Sequence, residues 1–310
     1  VRSQGGFGGY AHCGAGMVVD SKELPNYEIP PFDSIGTNEA IVDVTHGYAD
    51  FLSGCDTPAI AELNGWYHLL NCGYRLSLVG ETDYPCITGE RPGRGRSYVR
   101  LDRRPMDDAG YDAWVNNLMK GRHYCGDGRS HFLEFTVHGR APGDDDAALA
   151  SAGSVKIEAL VAARLEPTPT PETEAIRANL DGTWHLERAR IGNTRNVPVE
   201  LIVNSVAVDR VELLADGAPH AARFNTQVAR SSWVALRILP SGHTHPVFVQ
   251  VAGRKIRASK RSAQWCRTCV DKLWEVKSPL MRAGEVADAS QAYDHARASY
   301  DAILKESEVD

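Results

Sequence analysis

Over its first hundred residues the chain alternates short apolar runs with a stretch of helical periodicity. Residues 49–53, Ala-Asp-Phe-Leu-Ser, read as a short buried strand. Residues 58–72 read as a helix in which Ile60, Leu63, Tyr67 and Leu70 recur at helical spacing and present one face to a sheet. Thr57 is its expected N-cap, Pro58 its first position and Gly73 its stop. The run Leu76-Ser77-Leu78-Val79 supplies the next strand. Strand, helix, strand is the parallel crossover unit, in which the carboxyl ends of the strands open on one side of the sheet. Residues 111–120 follow as a helix, 124–128 as a tight turn and 132–137 as an alternating strand.

After Arg140 the rhythm changes. Residues 141–154 are small, acidic and loop-like, and Pro-Thr-Pro-Thr-Pro at 167–171 is a stiff extended linker or a loop insertion. Strands then follow one another without intervening helices, at 155–165, 185–191, 199–203, 208–214, 222–228, 232–239 and 247–251. Short strands with turn signals at this spacing predict a β-sandwich, with Trp233, Leu236 and Ile238 divided between its faces by alternation. Helices at 262–277 and 285–305 close the chain, the second burying Ile303 and Leu304. The fold class is therefore α/β plus all-β: a β/α lobe over 1–140, a β-sandwich-like domain over 141–260 and C-terminal helices over 261–310.

Composition narrows the function. The 310 residues, 43% hydrophobic and 24% charged, suffice for a sizeable core. A net charge of −6 and a pI near 6.0 lack the basic surface that neutralises phosphates, which argues against a nucleic-acid partner. Mean hydropathy is −0.33 and no apolar run is long enough to predict a membrane span. The seven cysteines are irregularly spaced and do not read as a disulfide framework. Cys266-Arg267-Thr268-Cys269 is a lone CxxC inside a helical pattern, read either as a redox or structural pair or as two ordinary half-buried thiols.

Candidate chemistry gathers at strand ends. The strand at 76–79 runs into Gly80-Glu81-Thr82-Asp83, delivering two carboxylates where the apolar pattern stops. Residues 8–12, Gly-Gly-Tyr-Ala-His, end on a histidine followed by the turn Cys13-Gly14-Ala15-Gly16. His12, the region after Ser53 and Asp83 should open onto the same end of the sheet, where a metal ligand or general base would sit. On a strand Glu81 faces the same side as Asp83, and it either orients the site or pairs with Arg75 or a loop arginine. The loop at 89–95 carries Arg91 and Arg94, with Arg96 just beyond, and is either an anion clamp or a solvated turn. Asp127 and His131 read as turn chemistry and an edge contact, and His243-Thr244-His245, which meets Pro246, reads as a turn.

Several segments resemble a known family. Residues 8–12, Trp-Tyr-His-Leu-Leu-Asn-Cys-Gly-Tyr-Arg-Leu at 66–76 and Gly-Glu-Thr-Asp-Tyr-Pro-Cys at 80–86 resemble the later half of a PHP-type domain. PHP is the polymerase and histidinol phosphatase superfamily of metallohydrolases, and the branch resembled is the CehA/McbA-like one, named for a carbaryl hydrolase. Residues 96–101, 126–131 and 231–241 resemble long members of the same branch. The resemblance implies a distorted β/α barrel holding divalent zinc, manganese or iron at the ends of its strands. His12 matches the family's late strand-end histidine and Asp83 its strand-end aspartate. The family has a histidine just beyond that aspartate, whereas here Tyr84, Pro85 and Cys86 follow, leaving Cys86 as a soft candidate ligand. PHP domains open with a His-x-His strand end, and nothing before Gly5 can hold one, so the chain is expected to be the C-terminal portion of a longer hydrolase.

The implied function is metal-assisted hydrolysis of a phosphoester, ester or carbamate-type bond in a small-molecule substrate, with this chain by itself expected to be a poor hydrolase because the N-terminal metal ligands are absent. His12, Asp83 and Cys86 would be metal ligands, Glu81 and Arg96 catalytic groups, and Arg91 and Arg94 substrate contacts. The alternative is a non-catalytic binding protein with a remnant lobe and a sandwich recognising a glycan or protein, in which Trp184 and Trp233 would form an aromatic platform.

Overall fold

The computed structural model describes residues 1–33, 36, 38–85, 92–102, 108–179 and 182–308. Strand β1 (Gly9–Tyr10) pairs in parallel with β2 (Phe51–Gly54), and β2 pairs in parallel with β3 (Ser77–Gly80), with Phe51 opposite Ser77 and Gly54 opposite Gly80. The short helix α1 (Ala40–Asp43) precedes β2, and α2 (Ala59–Asn71) makes the crossover from β2 to β3.

Helix α2 is buried on every side, not on one face as its periodicity predicts. Every residue except Ile60 is buried, because β2 and β12 (Ser232–Ile238) and helix α5 (Lys260–Lys277) all pack on it. Thr57 is not its N-cap. Pro58 takes that position without a side-chain bond, and the Thr57 hydroxyl donates to Glu62 instead. Gly73, at φ +93°, stops the helix as expected: its N–H donates to the Leu70 carbonyl and that of Tyr74 to the Leu69 carbonyl.

The next ladder elements are β4 (Arg96–Val99), helix α3 (Asp108–Met119), β5 (His123–Gly126), β6 (Ser130–Val137), β7 (Ala147–Leu149) and β8 (Gly153–Arg164). After helix α4 (Pro171–Ala178) come β9 (Asn196–Val203), β10 (Val206–Leu214), β11 (Asp216–Val228), the central strand β12, β13 (Gly242–Thr244) and β14 (Val247–Val251). An eight-stranded sheet runs in the order β10-β9-β12-β13-β5-β4, with β14 beside β12 and β7 in parallel beside β14. A third, antiparallel sheet runs β11-β8-β6. The β13–β5 ladder crosses the boundary expected at residue 140.

Strand β12 is the middle of the molecule, and alternation decides which core each residue joins. Trp233 and Ala235 join the cluster built on Trp66, Tyr67 and α5, whereas Val234, Leu236 and Ile238 join Ile157, Val161 and Phe224 of the third sheet. Helix α6 (Val286–Glu306) lies on α5, burying Tyr293, Ala296, Tyr300 and Ile303, while Leu304 is partly covered.

Several expectations are corrected. Among the described residues β1, β2 and β3 form a three-stranded parallel sheet, and no sheet closes into a barrel. The fold is mixed α/β with several sheets and C-terminal helices. Residues 185–191 form no strand; Leu186–Ala189 is a 3-10 turn, held by the His185 ring accepting the Glu187 N–H and by a buried Glu187–Arg190 pair at 2.7 Å. The proline-rich linker ends in a helix, with Thr170 and Thr173 forming a reciprocal cap and Pro171 at the first position. Residues 242–244 form β13, not a turn, because β5 and β12 flank them. Trp184 and Trp233 are 1% and 0% exposed, so neither offers a binding platform. The six described cysteines are free and buried; the sulfur beside Cys266 is that of Cys72, at 4.0 Å. No helix among the described residues is long and apolar enough to cross a membrane.

Candidate metal centre

Each of the three parallel strands turns over at its carboxyl end through a non-glycine residue in the left-handed region: His12 at φ +50°, Cys55 at +83° and Asp83 at +50°. Such conformations are uncommon outside glycine and cost on the order of 1 kcal/mol or more. They aim His12, Asp56, Glu81 and Asp83 at one point. His12 Nδ1 lies 2.5 Å from Asp56 Oδ2 and 3.2 Å from Glu81 Oε1, and His12 Nε2 lies 3.5 Å from Asp83 Oδ2. The His12 N–H donates to Ser53 Oγ at 3.0 Å and to Glu81 Oε1 at 3.3 Å, which ties the end of β1 to the ends of β2 and β3.

The group has a buried floor and an open rim. The Asp56 side chain is 0% exposed, whereas those of His12, Glu81 and Asp83 are 27%, 29% and 25% exposed. Burial alone would lower the pKa of His12, but the Asp56 hydrogen bond and the charges of Asp56, Glu81 and Asp83 outweigh it and raise the value. Glu81 is raised by burial and by the adjacent Asp56 carboxylate.

The residues fit a cation. Ligand atoms of His12, Asp56 and Glu81 all lie within 4.8 Å of one another, close enough for one divalent ion after small side-chain adjustments. Asp56 Oδ1 is buried and accepts no hydrogen bond among the described residues. Leaving such an oxygen unmet costs about 1–3 kcal/mol, and more when it is charged, and a metal ion is a partner that would satisfy it. One imidazole nitrogen with carboxylate oxygens is a donor set that suits zinc, manganese or iron.

His12, Glu81 and Asp83 thus converge, and Asp56 joins them. Asp56 was missed, although the signal that marks Asp83, a carboxylate just past an apolar strand, is present in Phe51-Leu52-Ser53-Gly54-Cys55-Asp56. The pairing of Glu81 with Arg75 is not formed; Arg75 binds Asp146 through two bonds of 2.8 and 2.5 Å. Arg96 is not brought to the group: its guanidinium meets the Gly93 carbonyl and the Tyr98 hydroxyl and lies against Gly128. Arg94 is half-buried with Asp127, Arg129 and Arg188 in its electrostatic surroundings. Cys86 and Arg91 lie outside the described residues. Asp127 is structural, accepting from the Arg129 and Leu186 N–H groups and the Ser241 hydroxyl. His243 is buried, accepting from the Tyr67 hydroxyl at 2.7 Å and donating to the Thr244 carbonyl.

A mostly apolar cavity of about 220 Å³ opens at the start of α2, walled by Met17, Val18, Pro58, Ile60, Arg188 and Leu239, and none of the four converging residues lines it. No protein-family model matches the chain, and no curated protein and no solved structure matches it significantly.

Proposed function

We propose that this chain holds a divalent metal ion on His12, Asp56, Glu81 and Asp83 and serves hydrolysis of a phosphoester, ester or carbamate-type bond, as its resemblance to CehA/McbA-like PHP metallohydrolases implies. The observation that carries the reading is the unmet Asp56 Oδ1, buried among three other ligand-type groups at the carboxyl ends of three consecutive parallel strands. Open α/β sheets place their ligands at that edge. When bound, the ion would lower the pKa of a water toward neutrality and polarise the scissile group. To ligate through Nδ1 the His12 ring must present a lone pair there, so an imidazolium would release one proton on loading and a neutral ring would carry its proton on Nε2. Glu81 orients His12 by accepting its backbone N–H, and the partly exposed rim of His12, Glu81 and Asp83 leaves room for a substrate. The β-rich part is read as a β-sandwich-like companion to this lobe, its inner faces sharing the cluster of Leu236, Ile238, Ile157 and Phe224.

The test is metal content after purification, followed by calorimetric titration of the stripped chain with Zn²⁺ and Mn²⁺. Near-stoichiometric binding that is lost in His12→Ala and Asp56→Ala supports the centre. Turnover of p-nitrophenyl phosphate or acetate by the loaded wild type, absent from both variants, supports hydrolysis. No binding by the wild type would overturn the reading.

A further inference from the structure

Beneath the centre lies a carboxylate that touches no candidate ligand side chain. Glu62 is 1% exposed and stands in the first turn of α2. Its Oε1 accepts from the Thr57 N–H at 2.8 Å and the Thr57 hydroxyl at 2.6 Å, and its Oε2 from the Cys55 N–H at 3.0 Å and the Trp184 indole N–H at 2.6 Å. Four donors converge on two oxygens, a demand that an acceptor-only side chain meets in full.

Two of those donors identify what the carboxylate holds. Cys55 and Thr57 flank Asp56, and Cys55 carries the left-handed backbone that swings Asp56 into the centre. The Thr57 hydroxyl, while donating to Glu62, accepts the Gly14 N–H at 3.2 Å, so the same contact reaches the loop that follows His12. Gly14 has no room for a side chain: a Cβ there would lie 2.5 Å from Thr57 Oγ1 and 3.1 Å from Glu62 Cγ. Trp184, from a segment more than a hundred residues away, locks the far side of the carboxylate. A helix cap accounts for the Thr57 N–H alone; the Cys55 N–H, the Thr57 hydroxyl and the Trp184 indole go beyond it, and the first two belong to the turn that carries Asp56.

From this geometry we infer that Glu62 is a positioning residue of the metal centre, holding the Asp56 turn and, through Thr57, the His12 loop at ligating distance. The inference rests on the metal reading above. Groups that orient ligands typically change metal affinity about 10- to 100-fold when altered. Glu62→Gln keeps the volume but turns an N–H₂ toward two existing donors, which releases one side of the turn.

The experiment combines Zn²⁺ titration with amide hydrogen exchange at Gly14, Cys55 and Thr57, on the full chain and with thermal melts alongside. Glu62→Gln should bind Zn²⁺ at least ten-fold more weakly and exchange faster at Cys55 and Thr57. Thr57→Val should weaken binding and expose Gly14, and Thr57→Ser, which keeps the hydroxyl, should retain wild-type affinity. A lowered melting temperature with unchanged affinity in both Glu62→Gln and Thr57→Val would make Glu62 merely structural and overturn the inference. If Glu62→Gln does not fold, the Thr57 pair decides it by the same affinity comparison. If the wild type binds no Zn²⁺, the metal reading falls, and the exchange rates alone decide whether Glu62 holds the turn: no acceleration at Cys55 or Thr57 refutes it.

Discussion

A single methyl group on Gly95, at the entrance to β4, should disable the centre without replacing a ligand. A Cβ at Gly95 would lie 1.8 Å from the Glu81 carbonyl oxygen and 2.9 Å from Cys55 Cβ. Carbon and carbonyl oxygen need about 3.3 Å, so the two chains must part by roughly 1.5 Å. Neither obstacle is the tip of a flexible side chain that can rotate away. The seam is also held by the Gly95 N–H donating to Thr82 Oγ1 at 3.1 Å and by the Thr82 hydroxyl donating to the Gly95 carbonyl at 3.3 Å. Forcing extra volume into a packed site costs about 1–3 kcal/mol. Metal–ligand distances tolerate only about 0.2 Å, so a shift of this size takes Glu81 out of reach. Gly95→Ala is expected to lose about 2–3 kcal/mol in urea denaturation and at least ten-fold in Zn²⁺ affinity. Gly284→Ala, where a new Cβ meets nothing within 4 Å, is the control. A Gly95→Ala chain within about 0.5 kcal/mol of wild type and with unchanged affinity would refute the reasoning.

Trp66, 0% exposed and donating from its indole N–H to the Leu76 carbonyl at 2.9 Å, anchors α2 to the start of β3; Trp66→Ala should lose about 3–5 kcal/mol by urea denaturation. Metal affinity should fall as the pH drops through the raised pKa of His12, so the decline begins above pH 6.5, and calorimetric titrations across pH 5 to 8 would show it; affinity flat with pH would remove His12 from the ligand set. Burial pushes Glu62 up from 4.5 to about 7, against the hydrogen bonds from Thr57 and Cys55. Burial makes the folded state hold that proton more tightly, so the ionised form that accepts all four donors is reached as the pH rises to about 7, and stability falls over the window from pH 4.5 to about 7. Denaturation midpoints over that window should therefore fall less steeply in Glu62→Gln than in the wild type.

What was legible in the chain was local. The helix ending at Gly73, the strand at 76–79, the alternation along 232–238 and the two closing helices follow from periodicity, backbone propensity and stop signals. Each of these acts over a few residues, so each can be read without knowing what packs on it. The carboxylate and histidine past strand ends were visible by the same rule, and His12, Glu81 and Asp83 do meet. The misreadings have the same origin. Residues 185–191 have a strand-compatible sequence, yet the Glu187–Arg190 pair and the His185 ring satisfy their polar groups in a turn.

The tertiary structure decided everything that depends on a partner distant in sequence. Whether α2 shows one face or none to solvent was set by α5 and β12 arriving on its other sides. That Trp184 and Trp233 are core groups followed from what they meet, Glu62 and the Trp66–Tyr67 pair. The centre itself exists only in space: residues 12, 56, 81 and 83 have no common spacing along the chain. They become neighbours because parallel pairing sets three strand ends side by side, the first two supplying one side chain each and the third both Glu81 and Asp83. Asp56 shows the division best, since its type and position were readable in the sequence, but its unmet oxygen, the feature that makes a metal ion the fitting partner, is a property of what surrounds it.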